Sequence, residues 1–355
     1  MFLPTHGGGL SASGALVDPL SDVLRAVRLS GAFFYSVEAN APWSIEVVPA
    51  AELVPRILPG AEHLISYHIL TNGRCWGGLT GEKPVEMLPG DVLVFPHGEG
   101  HRMSDGPDAR APLERYGSTP ARYPSTLRLG RDGGPAASFV CGFLGCDRRP
   151  FNPLLSNLPR QILMRGLDQG WLATFAQHVV KESRVGRAGA DCVLTRLAEL
   201  MFIEVVRLHL ESLPEGQTGW LAGLRDPTVG RALGLLHADP RRAWTLEALS
   251  REVAASRSKL TERFTAYVGQ PPMRYLAQWR MQLAAGLLSR SGAKVAAVAS
   301  AAGYDSEAAF SRAFKKSVGM APGAWRRRAS LSPGLGPDTG TRGGAMPAPL
   351  DPAMP

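Results

Sequence analysis

Through the last third of the chain the apolar positions fall at helical spacing. Leu246, Leu249 and Val253 share one face, and Leu260, Phe264 and Tyr267 share the next, with a break at Ala254-Ala255-Ser256 between them. Thr245 and Ser256 stand where an N-cap hydroxyl satisfies the free amides at a helix start. The plan then repeats. Val295, Val298 and Ala299 line a short helix, Gly303-Tyr304 makes a turn, Ser306 can cap, and Ala309, Phe310, Ala313 and Phe314 form the following apolar face. Two short helices joined by a tight turn are the minimum unit that projects a helix into a major groove. The pattern predicts two such units in tandem.

The first half has a different rhythm. From about Leu20 to Leu144 short apolar runs, such as Leu64 to Leu70, Val85 to Leu88, Val92 to Phe95 and Ser138 to Leu144, are punctuated by Gly, Pro, Asn and Asp and read as strands. Thr80-Gly81-Glu82 reads as a hairpin turn. Asp105 to Pro135, rich in Gly, Pro and Arg, reads mostly as a long loop. From Gln161 to Leu213 the period becomes helical: Trp171, Leu172, Phe175, His178 and Val179, then a longer helix opened by Asp191 and carrying Leu194, Leu197, Leu200, Met201, Glu204, Val205 and Leu208. Pro214 to Gly219 marks a linker, and the Pro- and Gly-rich tail from Ser332 to Pro355 reads as disordered. The expected division is a flexible 1–17, a β-rich 18–150, a helical packing or dimerisation segment 151–213, a linker 214–225, an all-α domain 226–328 and a disordered 329–355.

Charge sharpens this picture. Residues 226–330 hold 17 Lys and Arg against 7 Asp and Glu, whereas the whole 355-residue chain is only +8. The basic excess therefore lies on the paired helical units, as expected for a footprint on phosphate, and double-stranded DNA is the partner it predicts. A hydrophobic content of 45% is ample for two cores, and no run of eighteen apolar residues suggests a membrane span. Met1 to Gly14 lacks the basic and apolar regions of a signal peptide, so the cytoplasm is the expected location. Cys75, Cys141, Cys146 and Cys192 are too few and scattered for a disulfide framework.

The C-terminal segment resembles the DNA-binding domain of the AraC/XylS family of bacterial transcription regulators. The resemblance runs through Ser256-Arg257-Ser258-Lys259-Leu260, Arg263-Phe264, Gly269-Gln270-Pro271-Pro272, Tyr275-Leu276 and Trp279 to Ala284. It continues through Val295 to Ala299, Ala302-Gly303-Tyr304, Phe310 to Lys315, and Gly319 to Trp325-Arg326. It implies that Arg257, Ser258, Thr261 and Glu262 face the groove, with Lys259 nearer phosphate. In the second unit it implies Ser306, Glu307, Ala308, Ala309 and Arg312. Upstream, Gly90 to His101 resembles the second motif of the cupin barrels, with Asp105 where the family has Asn. The resemblance implies an α+β multidomain chain: a cupin-like β-barrel sensor, a helical segment that commonly forms a homodimer contact, and the double helix–turn–helix domain.

Cupins often hold a metal on two His and a Glu from the first motif and one His from the second. Anchoring the first motif on Gly73 puts Ser66 in place of that Glu, with Pro59 to Glu62 over the His-x-His region and only His63 nearby. An unorthodox divalent-metal or ligand set of His68, Cys75, His97 and His101 remains, because His68 shares Ser66's barrel-facing side by period-two alternation. Cys141 and Cys146 are redox candidates, since Arg148 and Arg149 beside them would lower a thiol pKa; two inert, half-buried cysteines are the competing reading. The leading function is a sequence-specific DNA-binding regulator whose barrel senses a small ligand, metal or oxidant, with RNA polymerase as a partner if it activates. The alternative is a cupin metalloenzyme fused to a DNA-binding module.

Overall fold

The computed structural model describes residues 18–27, 29–59, 61–108, 113–116, 126–130, 136–146, 150–165, 175, 177–179, 181–182, 187–290 and 293–331. The N-terminal part holds α1 (Pro19–Ala26), β1 (Leu29–Ala39), β2 (Ser44–Val47), α2 (Ala50–Ile57), β3 (His63–Gly73), β4 (Cys75–Leu79) and β5 (Val85–Met87). It continues with β6 (Val92–Phe95), β7 (His101–Ser104), β8 (Leu113–Tyr116), β9 (Thr126–Leu129), β10 (Ala137–Cys146) and β11 (Ile162–Met164). The strands form a six-stranded sheet ordered β11-β6-β3-β10-β1-β9 and a five-stranded sheet ordered β5-β4-β7-β2-β8.

One core lies between the sheets. Tyr35, Val37, Leu93, Phe95, Phe139, Cys141 and Phe143 of the larger sheet meet Ile45, Val47, Leu79, Met87 and Met103 of the smaller. The alternate residues of the larger sheet, among them Ile65, Tyr67, Val94, Val140 and Leu144, turn outward and are covered by α3 (Ala190–Ser212) through Leu194, Ala198, Met201 and Val205. A sheet buried on both faces explains why β3, β6 and β10 read as near-continuous apolar runs rather than alternating ones. Gly98 closes the Pro-x-Gly break after β6 at φ 66°, and a Cβ there would run into Leu64 O and Ala50 Cβ.

The remaining helices are α4 (Trp220–Arg225), α5 (Pro227–Ala238), α6 (Leu246–Glu252), α7 (Arg257–Val268), α8 (Pro272–Arg290), α9 (Val295–Ala301), α10 (Glu307–Val318) and α11 (Pro322–Leu331). Helix α8 spans two cores. Its first half places Tyr275, Leu276 and Trp279 with Leu249, Leu260 and Phe264, in a cluster that runs on into the N-terminal domain. Its second half places Met281, Ala284, Ala285 and Leu288 with Val298, Phe310, Phe314 and Trp325.

Several expectations are corrected. Helices α1 and α2 lie inside the stretch read as β, each starting at a proline-marked boundary: Pro19 at N1 of α1 and Pro49 at the N-cap of α2. The Gly/Pro/Arg-rich loop contains β8 and β9, which pair in parallel with β2 and β1 at the sheet edges. Ile162–Met164, read as helical, is a strand antiparallel to β6. The long helix starts at Ala190 behind an αL Gly189, one residue before Asp191. Within the expected linker, α4 carries the fully buried Trp220. Phe175, His178 and Val179 are helical as read, whereas Trp171, Leu172, Arg148, Arg149 and the expected tail beyond Leu331 lie outside the described residues.

Candidate DNA-binding face and sensor core

The two helix–turn–helix units are fixed by local chemistry that the sequence displays. Thr245 caps α6 by accepting from Ala248 N at 3.0 Å, Ser256 caps α7 by accepting from Lys259 N at 3.3 Å, and Ser306 caps α10 by accepting from Ala309 N at 3.2 Å. Leu260 and Phe264 anchor α7 in the core, so Arg257, Ser258, Lys259 and Glu262 on its N-terminal half are exposed and Thr261 is half-buried. Phe310 and Phe314 do the same for α10, leaving Ser306, Glu307, Ala308 and Arg312 exposed and Ala309 half-buried. The first turn passes through Ala254 at φ 52° and the second through Gly303 at φ 77°.

Asp226, Arg263, Arg280 and Trp325, to which sequence reasoning assigned no positioning role, set how these helices sit. Asp226 caps α5 by accepting from Thr228 N and Val229 N, and its other oxygen binds Arg263 Nε of α7 at 2.8 Å. Burial alone would raise the Asp226 pKa, but the Arg263 bond and the two amides outweigh it and hold the carboxyl below its ordinary value. Arg280 of α8 donates to Pro240 O at 2.7 Å and Arg242 O at 2.9 Å, and its guanidinium also packs beneath Gly303 in the turn of the second unit. Trp325 Nε1 ties α11 to Ser289 Oγ of α8 at 3.0 Å. Asp226-Pro227 was readable as a helix start, whereas the Arg280 contacts span about forty residues of sequence and left no local signal.

In the barrel, His68, His101 and Cys141 form a continuous buried chain. His101 Nδ1 lies 3.0 Å from Glu99 O, the two Nε2 atoms of His68 and His101 are 2.7 Å apart, and His68 Nδ1 is 2.7 Å from Cys141 Sγ. A carbonyl only accepts, so His101 carries its proton on Nδ1 and its Nε2 accepts from His68 Nε2–H. His68 Nδ1 is then bare and takes the Cys141 S–H. Burial pushes His68 well below the ordinary imidazole value, with His101 adding to the shift, and burial lowers His101 to about 4. The chain is therefore neutral throughout.

This arrangement does not bring the candidate metal set together. His97 lies apart, its Nε2 on Leu158 O at 2.9 Å, and His63 is held on Pro96 O at 2.7 Å. Burial, with Asp91 adding to it, pushes the Cys75 thiol up to about 12. Both ring nitrogens of His68 and of His101 are engaged, and among the described residues no three His, Cys, Asp or Glu side chains are disposed to hold a metal ion. These residues do not fit the metal of the barrel family. The two redox candidates are both buried, and they do not face each other. Cys141 faces the inter-sheet core and Cys146 the opposite face of β10, five residues along an extended strand, or about 17 Å. Burial raises the Cys141 thiol well above its ordinary value against the Tyr35 hydroxyl bond, the reverse of an activated thiolate.

Fold and helical units together define a two-domain DNA-binding regulator. A family model described as Cupin matches residues 18–211, and one described as a helix-turn-helix domain matches residues 249–328. A putative AraC-like transcription regulator of Streptomyces lividans is 31% identical over 318 residues, covering 89% of this chain and 100% of the relative. A second, from Streptomyces antibioticus, is 32% identical over 315 residues, covering 88% and 99%. The transcriptional regulator AlkR of Acinetobacter baylyi is 27% identical over 320 residues, covering 88% and 100%. The chain belongs to the AraC-like transcription regulators that carry a cupin domain ahead of the helix-turn-helix domain, and it is a DNA-binding transcription regulator.

Proposed function

We propose that α7 and α10 are the two DNA-reading helices, entering successive major grooves about 34 Å apart on one face of the duplex. The observation that carries this reading is that two capped helices each expose the N-terminal half opposite a buried aromatic anchor, with α8 joining them. Arg257, Ser258, Thr261 and Glu262 present the richer set of donors and acceptors, and Lys259 serves phosphate. Glu262 accepts from a cytosine amino group. On α10 and its cap, between Ser306 and Phe314, the one strong donor is Arg312; Ala308 and Ala309 touch thymine methyls, and Ser306 and Glu307 flank them. This helix thus mainly positions the backbone. Footprinting on a bound operator tests the arrangement: protection of two adjacent grooves supports it, and protection of one groove contradicts it. In the same assay Glu262→Ala relaxes specificity at one base pair, by about 1–3 kcal/mol, while uniform loss on all sequences counts against the contact.

The N-terminal domain then acts as the sensor of a small-molecule effector rather than as an enzyme. The hydrogen bonds that occupy both ring nitrogens of His68 and of His101, and the separate placing of His63 and His97, support this, and metal analysis of the purified protein tests it. A second copy packs on α3, whose Leu194, Met201 and Val205 cover the sheet while Val193 and Leu200, seven residues apart on the outer face, are 47% and 51% exposed. Leu200→Glu is expected to shift sedimentation to the monomer. Among the described residues no helix is long and apolar enough to cross a membrane; the cytoplasm, alongside RNA polymerase, is the setting this reading implies.

A further inference from the structure

Helix α8 is a strut between two cores, and Arg280 stands at the junction. Tyr275, Leu276 and Trp279 before it belong to the core of the first helix–turn–helix unit, and Met281, Ala284 and Ala285 after it to the core of the second. A helix held at both ends bends more easily than packed cores deform. The angle between α7 and α10 therefore depends on what braces this junction. Arg280 reaches the loop ahead of α6, donating from Nε to Pro240 O at 2.7 Å and from Nη2 to Arg242 O at 2.9 Å. That loop is itself held: Asp239 Oδ1 accepts from the amides of Arg241 and Arg242, and Trp244 Nε1 donates to Asp239 O at 2.9 Å.

On its other side the guanidinium meets the turn of the second unit. A Cβ on Gly303 would lie 3.1 Å from Arg241 O and 3.3 Å from Arg280 Cζ. The corresponding turn of the first unit holds Ala254 at φ 52°, so such a turn accepts a side chain. Glycine at 303, φ 77°, thus answers to the close approach as well as to the backbone. Loop, guanidinium and turn meet at one point, a contact between the two units additional to α8. We infer that Arg280 is the spacing gauge of the DNA-binding domain. By bracing α8 against the loop and the Gly303 turn, it fixes the separation and rotation of α7 and α10, and so selects operators whose two grooves match that one spacing. It is a positioning residue and touches no base in this role. One inserted base pair moves the second site by about 3.4 Å and about a tenth of a turn. Braced helices can follow that only if the DNA deforms.

DNA selected in vitro by the full chain is the probe, in three forms: unaltered, with one base pair inserted between the two grooves, and with the second groove's sequence scrambled. The unsubstituted protein is expected to bind the inserted form at least about tenfold more weakly than the unaltered one. Arg280→Met and Gly303→Ala should each cut that penalty below about threefold, while binding the scrambled form within about twofold of the parent. Arg280→Lys, which still reaches one carbonyl, should keep part of the penalty. Gly303→Ala decides alone if Arg280→Met fails to fold. Loss by one common factor on all three forms marks a merely structural role and overturns the inference, as does a penalty unchanged in both variants. The inference rests on α7 and α10 both reading the duplex, and footprints of the parent separate the two claims. Protection of one groove removes both, whereas two protected grooves with no penalty for the insertion remove the gauge alone.

Discussion

At the scale of single residues, two positions hold unfavourable states that the rest of the domain sustains. Ala254 is the one described non-glycine residue at positive φ, 52°, in the turn between α6 and α7. A Cβ in the left-handed region costs about 1–2 kcal/mol, and glycine returns about 0.5–1 kcal/mol of that as chain entropy. Ala254→Gly is expected to stabilise the protein by up to about 1 kcal/mol, read as a higher urea midpoint. The second position is the buried imidazole chain. His101 is lowered to about 4 and His68 is lowered too, so between that value and the ordinary one near 6.5 the unfolded chain takes up protons that the folded chain refuses. Stability is complete above about pH 6.5 and falls as pH drops towards 4, by up to about 1.4 kcal/mol per unit for each histidine. Urea titrations at pH 7 and pH 5 measure this, and His101→Gln should flatten the difference. A flat profile in the unsubstituted chain would refute the neutral assignment.

At the scale of elements, what could be read in advance divides along the range of the interactions. The caps at Thr245, Ser256 and Ser306, the β4–β5 turn at Gly81 and the anchors Leu260, Phe264 and Phe310 are each decided within a few residues, so spacing alone located them. Strands β8 and β9 are four residues long and owe their existence to parallel partners on β2 and β1 far away in sequence, which no local period reports. The sensor core was half legible. Alternation put His68 on the inner face, but the register of β10 on β3, which pairs Cys141 with His68, joins positions 73 apart and replaced the expected Cys75 with Cys141. The same reasoning gives the Asp226–Arg263 pair its test. Asp226→Ala removes the α5 cap and the tether of α7 together, at a cost of about 1–2 kcal/mol with the half-exposed Arg263 discounted for solvent. Because the Asp226 pKa is depressed, its contribution is present above the ordinary carboxylate value and is lost as pH falls through the folded value. The gap between this variant's urea midpoint and the parent's should therefore be full at pH 7 and narrow steadily as pH is taken below the ordinary carboxylate value.

For the whole molecule, the domain division and the packing do not coincide. The cluster that holds the first helix–turn–helix unit runs through Trp220, Val229 and Tyr275 into Leu20, Val23 and the outer face of the large sheet, whereas the second unit has a separate core around Phe310, Phe314 and Trp325. Gln282 of α8 fastens the seam. Buried, it accepts from Phe151 N at 3.0 Å and donates to Ala26 O at 3.4 Å. Cooperative units follow shared buried surface. The sensor and the first unit should therefore open together, and α9 to α11 should open at lower free energy on their own. Hydrogen exchange on the full chain tests this directly: amides of α7 should exchange only with those of β3 and β10, and amides of α10 faster than either. Gln282→Leu leaves the Phe151 amide and the Ala26 carbonyl without these bonds, a loss of about 1–3 kcal/mol for each group that stays buried. It should release α7 from the sheet, so that their exchange rates separate. If α7 and α10 exchange alike in the parent chain, the two units form one block and the sensor acts on both equally. If they differ as expected, a signal from the sensor reaches the first unit through shared packing, and the second through α8 and the 2.7 Å pair of Arg328 on α11 with Glu62.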